Sequence, residues 1–320
     1  MRQNESVRTA IILNPAAGRG RGAQMRARIE QHFGEFRPGA QIFETTRPGV
    51  ATELARRATT VKAELVIAAG GDGTLGEVLN GMIGTHAKLG ILPLGTGNDF
   101  ARCLGIGTNL ETAFEVLKAG NFRAVDVGKI EVAGQCRYFL NVAGAGFDSR
   151  VAARINAHRP RVLSKLSGTG AYLVACLAEM RRFPIAEMRL ELDGKKVGSR
   201  AVLCAIANAS SYGGGMLVAP EADLSDGQFE VCLIKALSRG AFLRAFPGVF
   251  AGKHIHHPRV EMFRAAKVRL ECEPPLPVLI DGEIVGETPA LFEILPRAIE
   301  VIAPNRQSRT PKADTRRGIR

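Results

Sequence analysis

The chain opens on a short apolar run, Val7-Arg-Thr-Ala-Ile-Ile-Leu13, that stops at Asn14-Pro15-Ala16-Ala17-Gly18-Arg19-Gly20. This pattern predicts a buried strand running into a glycine-rich turn. Behind the turn, Met25, Ile29 and Phe33 recur at a spacing of four, the mark of one apolar helix face. A second strand-like run, Gln41 to Glu44, leads through Thr45-Thr46-Arg-Pro-Gly49 to a helix carrying Leu54 and Ala58. A third, Leu65 to Ala69, meets Gly70-Gly71-Asp72-Gly73-Thr74, and Leu75, Val78, Leu79, Met82 and Ile83 then form a helical stripe. A fourth, Leu89 to Leu92, meets Pro93-Leu-Gly-Thr-Gly-Asn-Asp-Phe100. Strands alternating with helices predict a parallel sheet covered on both faces. Ligands in such sheets bind outside the carboxyl ends of the strands, where every one of these glycine-rich segments falls.

From Lys129 the period changes. Tyr138 to Val142, Glu187 to Asp193, Arg200 to Ala207, Phe229 to Ile234, Lys267 to Cys272 and Val278 to Ile280 read as short strands separated by turn residues. They predict an antiparallel sandwich interrupted by helices, one of them near Gly170 to Arg182. The apolar run Ala171 to Ala178 is read as a packed helix, and Val285 to Val301 as further strands, some returning to the first sheet. A cleft between the two parts is the expected site.

Composition narrows the class. A length of 320 residues with 46% hydrophobic and 23% charged content suits one or two packed domains. No stretch approaches the roughly 20 apolar residues of a membrane span, and the polar start predicts no signal peptide. Cys103, Cys136, Cys176, Cys204, Cys232 and Cys272 are widely spaced, which fits free thiols in a reducing cytosol. The net charge is +12, and five of those charges lie in residues 305–320, where Arg306, Arg309, Lys312, Arg316, Arg317 and Arg320 face only Asp314. That tail reads as disordered, and either as solvated charge or as attraction to an anionic membrane surface. No groove-reading motif or aromatic platform supports nucleic acid. His254-Ile-His-His257 lacks further ligands at zinc spacing and is expected at the surface or a cleft rim, with Lys253, Arg259 and Arg264 near lipid headgroups.

Glycine lets backbone N–H groups approach phosphate oxygens, and the following helix supplies a positive N-terminus. Gly70 to Thr74 has that chemistry. Gly71-x-Gly73-x-x-Gly76 also satisfies a dinucleotide fingerprint, but the next strand ends in Pro93-Leu94-Gly95 rather than a ribose-binding acid. No Walker lysine motif occurs. A ligand-free tight turn would explain one such segment better than three. An aspartate inside a phosphate loop is repulsive unless a cation intervenes, and Asp72, Asp99 and Asp126 are the candidate carboxylates for Mg²⁺ beside a triphosphate.

Asn14 to Gly18, Gly70 to Thr74 with Glu77-Val78 and Asn80-Gly81, and Pro93 to Arg102 together resemble the diacylglycerol kinase catalytic domain. The resemblance continues through Asn141, Gly144-x-Gly146-Phe-Asp148, Asn208, Gly213 to Gly215, Pro220, Asp226-Gly227 and Asp281-Gly282-Glu283, covering about residues 7–303. It implies a Rossmann-like doubly wound α/β domain over residues 1–128, completed by about 296–304. A β-sandwich-like lipid-substrate domain would follow over 129–295, then the tail. It further implies ATP contacts at Asn14, Pro15, Ala16, Ala17, Gly18, Thr46, Gly70, Gly71, Asp72, Gly73, Thr74, Leu75, Gly76, Thr96, Asn98 and Asp99. Asp72, Asp99 and Asp126 would organise Mg²⁺ and water near the phosphates, with a second, structural Mg²⁺ at Asp223, Asp226 and Gln228, some of them binding through main-chain carbonyls. The base falls on Asp281, with Glu283 sharing or orienting. The implied activity is ATP-dependent phosphorylation of a lipid hydroxyl, diacylglycerol first, at the cytoplasmic membrane face, by a peripheral enzyme and in a homodimer. An NAD kinase-like activity, a kinase of another lipid alcohol such as phosphatidylglycerol or a sphingoid base, and a catalytically dead nucleotide-sensing or membrane-binding module are the competing readings.

Overall fold

The computed structural model describes residues 8–157, 179 and 185–305. The helix expected near 170–182, the apolar run 171–178, Cys176 and the basic residues 306–320 lie outside the described residues.

Strands β1 (Thr9–Leu13), β2 (Gln41–Glu44), β3 (Leu65–Gly70) and β4 (Lys88–Pro93) form a parallel sheet in the order β2-β1-β3-β4. Every residue of β1 and β3 is buried, as continuous apolar runs covered on both faces must be. Helices α1 (Ala17–Phe36), α2 (Val50–Thr60), α3 (Asp72–Met82), α4 (Asp99–Cys103) and α5 (Leu110–Ala119) connect them. The predicted stripe of α3 is the buried one: Leu75, Val78, Leu79 and Met82 enter the core. Leu13 lies level with Ala69, and Gly70 with Pro93, so three strands end together and their glycine-rich turns share one edge.

The remaining strands are antiparallel: β5 (Phe122–Val132), β6 (Gln135–Phe139), β7 (Val142–Gly146), β8 (Ala186–Leu192), β9 (Lys195–Ala207), β10 (Phe229–Lys235), β11 (Val260–Ala265), β12 (Lys267–Glu273), β13 (Pro277–Ile280), β14 (Glu283–Glu287) and β15 (Ala290–Ile302). After β7 comes helix α6 (Phe147–Ala157). The apolar core of this part includes Phe139, Phe229 and Phe292, with ring centroids 5.8 and 6.5 Å apart along the row. The fold is thus a parallel α/β layer followed by a β-rich part. Hydrogen bonding nonetheless runs unbroken through both, because β15 pairs antiparallel with β5 and β12 and, at Val301, parallel with Leu89 of β4.

That crossing needs a break in β15, between Leu295 and Ile299, where Arg297 adopts φ 49°. Facing the break is Asp126, fully buried. Arg297 N donates to Asp126 Oδ1 and Gly227 N to Oδ2, both at 2.7 Å. Asp126 N donates to Leu224 O, and Asn208 Nδ2 donates to Asp126 O. The carboxylate therefore takes the place of ladder bonds that the bulge forfeits. Tyr138 to Val142 is not one strand as expected: it divides at Leu140 and Asn141, whose N–H groups turn to a side chain from β13's end.

Substituting Asp126→Ala leaves two N–H groups at the part-buried bulge without their acceptor. Denaturant unfolding should show a loss of about 2–4 kcal/mol, and a change below the error of the midpoint would contradict this role.

Candidate active site

The first turn is fixed by Asn14. Its N–H donates to Ala69 O (2.9 Å), its Oδ1 accepts from Ala16 N (3.0 Å), and its Nδ2 donates to Thr74 Oγ1 (3.0 Å). Asn14 thus anchors the β1 turn to the start of α3. Two glycines show why side chains are excluded. A Cβ on Gly95 would lie 2.4 Å from Gly71 Cα, so the β3 and β4 turns touch backbone to backbone. Gly18 has φ +58°, and a Cβ there would meet Leu94 O at 2.3 Å. The N–H groups in the first turn of α3, residues 72–74, have no intrahelical partner and stand at this edge.

Not every expected residue presents its side chain. Leu75 and Ala17 are buried in the core. Asn98 sits at φ 51° and spends its amide on Gly95, donating to Gly95 O (2.9 Å) and accepting from Gly95 N (3.0 Å). It shapes the loop. Ala16, Thr46, Gly73 and Thr96 are exposed, and Pro15, Gly70, Gly71 and Gly76 supply backbone at or beside the same turns.

Asp72 and Asp99 flank Gly97: a Cβ there would be 3.1 Å from Asp72 Oδ2 and 3.2 Å from Asp99 Oδ2. Asp72 Oδ1 accepts from Phe100 N (3.2 Å). Asp99 is buried, and Oδ2 accepts from Gly214 N (2.8 Å), while Oδ1 is buried without a hydrogen-bond partner. Burial first, and then the Asp72 charge, hold the Asp99 carboxyl above its usual pKa range, against the N–H groups of Gly214 and Gly215. Two adjoining carboxylates with an orphaned oxygen fit a divalent cation completed by phosphate oxygens. The expected third member, Asp126, is not brought to them. It closes the β15 bulge, and among the described residues no three acidic, histidine or cysteine side chains surround a common point.

The Asp223–Gln228 turn also differs from a side-chain metal cage. Asp223 Oδ1 accepts from Ser225 N and Oγ, Asp226 Oδ1 accepts from Gln228 N, and Asp226 Oδ2 pairs with Arg264. Gln228 is exposed and contributes its N–H. A guanidinium pairs with Asp226, so a cation at this turn would draw on main-chain carbonyls, as the resemblance implies for part of the set.

Asp281 occupies the Asp281-Gly282 turn between β13 and β14, both residues at positive φ (45° and 94°) as a tight hairpin requires. Its carboxylate receives three N–H groups: Leu140 N to Oδ2 (3.0 Å), and Asn141 N (2.9 Å) and Val142 N (3.1 Å) to Oδ1. Burial outweighs these donors and, with the Asp72 charge, raises the Asp281 pKa to about 6. Asn80 sets its place relative to α3, exchanging hydrogen bonds with Tyr138 O (2.9 Å) and Tyr138 N (3.0 Å). Glu283 stands apart, exposed, with Oε1 3.9 Å from Arg137 Nη1.

Sequence reasoning missed a second feature. The loop 208–216 meets Asp99 through Gly214 on one side, and on the other lines a narrow apolar cavity through Tyr212 and Met216. The cavity encloses about 640 Å³ including its open mouth and is a narrow crevice. Phe147, Val218, Phe242, Phe246 and Val249 also form its walls. Its polar lining includes Asp148, whose Oδ2 accepts from Tyr212 Oη (2.9 Å) and whose carboxyl is pushed up by burial. His254 also lines it. Of the surface or cleft-rim position expected, the structure shows a buried place in the crevice wall, with Nε2 3.0 Å from Val218 O, and burial lowers its pKa. The apolar run Met216-Leu217-Val218-Ala219 after the glycines was the available signal. A wider cleft of about 1300 Å³ including its open mouth, lined by Arg37, Lys62 and Lys88, lies at the opposite, amino ends of β3 and β4.

Comparison with known proteins decides the family. Residues 8–130 match the model of the diacylglycerol kinase catalytic domain, and residues 141–303 that of the YegS C-terminal NAD kinase beta sandwich-like domain. A diacylglycerol kinase of Mycobacterium tuberculosis is 33% identical over 95% of this chain and 97% of that protein. One from Bacillus subtilis (strain 168) is 31% identical over 94% and 98%. The chain belongs to the diacylglycerol kinase family. A solved Bacillus anthracis str. Sterne structure matches this kinase with TM-score 0.77 and 27% identity, over 95% of this chain and 99% of that one. The shared β-sandwich-like part accounts for the antiparallel half described above.

The raised Asp281 pKa has a kinetic consequence. If this carboxylate must be ionised to accept a proton, kcat/KM of this kinase should fall about tenfold per unit as pH drops below about 6. Asp281→Asn should lower kcat by about 10²–10⁴-fold and abolish that limb. An unchanged profile in the variant would remove Asp281 from the role.

Proposed function

We propose that this kinase transfers the γ-phosphoryl group of ATP to the hydroxyl of a lipid, diacylglycerol giving phosphatidic acid. The observation that carries this reading is the 208–216 loop, which joins the carboxylate edge of the glycine turns to the apolar crevice. ATP phosphates would lie over the turns at Asn14–Gly18, Gly70–Gly76 and Leu94–Asn98, met by backbone N–H groups. Residues 1–128 with about 296–304 would act as the nucleotide domain and 129–295 as the lipid domain.

Phosphoryl transfer passes through a loose transition state, so alignment and charge neutralisation supply most of the rate. Asp72 and Asp99 would hold Mg²⁺, which when bound neutralises charge on the transferring phosphates. The repulsion between these carboxylates and the orphaned Asp99 Oδ1 support that assignment. Asp281 would accept the lipid hydroxyl proton. Each oxygen of a carboxylate has two acceptor sites, and Oδ2 receives one N–H, which leaves room for that proton. A group with pKa near 6 is ionised at neutral pH yet basic enough to take a proton late in the transfer. The apolar walls of the crevice suit an acyl chain and give nothing to a dinucleotide. Glu283, exposed beside Arg137, would not contact the hydroxyl.

The deciding experiment supplies the purified protein with γ-labelled ATP and Mg²⁺. Diacylglycerol, phosphatidylglycerol, a sphingoid base and NAD⁺ are offered separately as acceptors. Label should enter the lipid fraction, with diacylglycerol preferred. Label in NADP⁺ alone would overturn the reading.

A further inference from the structure

The segment Ala236–Val260 carries Arg239, Arg244, Lys253 and Arg259, three histidines, and no aspartate or glutamate. It folds as a short helix, Arg239–Ala245, followed by the 3₁₀ turns Phe246–Ala251 and Lys253–His256. All four Lys and Arg residues are exposed. Between them stand Leu243 and Phe250, 46% and 45% exposed, two of the few large apolar side chains so placed among the described residues. Exposing an aliphatic and an aromatic group inside a cationic stretch is unfavourable in water, and suits a surface that is both anionic and apolar beneath.

The interior of the segment strengthens this. Ring centroids step from Phe147 to Phe242 (4.9 Å), to Phe246 (5.7 Å) and to Phe250 (6.1 Å). Phe147 and Phe242 are buried, Phe246 half-buried and Phe250 exposed. A continuous aromatic row therefore leads from beside Asp148 in the crevice to the surface. Phe147, Phe242 and Phe246 line the crevice, whereas Leu243, Arg244, Phe250 and Lys253 do not.

We propose that residues 239–259 are the element by which this kinase docks on an anionic lipid bilayer. Leu243 and Phe250 enter the acyl boundary, and Arg239, Arg244, Lys253 and Arg259 meet the headgroups. Docking there turns the mouth of the crevice to the bilayer. The functional meaning of that orientation rests on the lipid-kinase reading; the docking itself does not.

Flotation of the full chain with vesicles of equimolar phosphatidylcholine and phosphatidylglycerol tests it. The protein should float with these vesicles and not with pure phosphatidylcholine. Leu243→Ser/Phe250→Ser should weaken partitioning at least about tenfold, with little dependence on salt. Arg244→Gln/Lys253→Gln should weaken it roughly fivefold per cation removed, the loss fading as salt rises. Both double variants should phosphorylate a dispersed, short-chain diacylglycerol at the wild-type rate. Wild-type partitioning in both variants, or no flotation of the unaltered chain, overturns the proposal. If no form turns over the short-chain lipid, the substrate reading fails, and flotation still decides the docking.

Discussion

Three consecutive backbone N–H groups, from Leu140, Asn141 and Val142, converge on the carboxylate of Asp281. A buried carboxylate persists only where donors meet its charge, and here the donors are taken from what would otherwise be a continuous strand. The consequences spread outward. β6 stops at Phe139, and Asn141 O is freed to accept from Asn208 N and Ala209 N. Those two bonds begin the loop whose Gly214 N–H reaches Asp99 and whose Tyr212 borders the crevice. One constraint thus links the base candidate, the glycine-turn carboxylates and the apolar crevice.

The electrostatics of this arrangement are unfavourable in isolation. Asp72 raises the pKa of both Asp99 and Asp281, and each of the latter is also desolvated. Such clustering is tolerated where positive charge arrives with a ligand. The backbone donors from Leu140–Val142 and Gly214 offset part of the cost without neutralising it. Asp126 illustrates the contrasting use of a buried carboxylate: its two oxygens accept from the Arg297 and Gly227 N–H groups, and it stabilises a strand crossing.

What was legible in the chain was local. A buried run followed by Gly70-Gly-Asp-Gly-Thr74 specifies strand, phosphate-type turn and helix within a dozen residues, and the core stripe of α3 follows from its period. Asp281-Gly282 was legible as a hairpin turn and, by resemblance, as the candidate base. The N–H groups that hold it come from residues about 140 positions away and leave no periodic trace. The partners of Asp126 were not legible for the same reason: they lie 101 and 171 residues off, at a bulge that no local pattern announces. His254, set among other histidines and cations, looks like a surface residue until the loop carrying Val218 is folded over it.

The central claim is that the Asp281 carboxylate is desolvated and held by backbone donors beside like charge. Aspartate-selective ¹³C-carboxyl NMR over a pH series, with Asp281→Asn identifying the resonance, measures this directly in the unliganded protein. The account predicts one carboxyl titrating near 6 that vanishes in the variant. An Asp281 resonance titrating at the ordinary aspartate value of about 4 would contradict it.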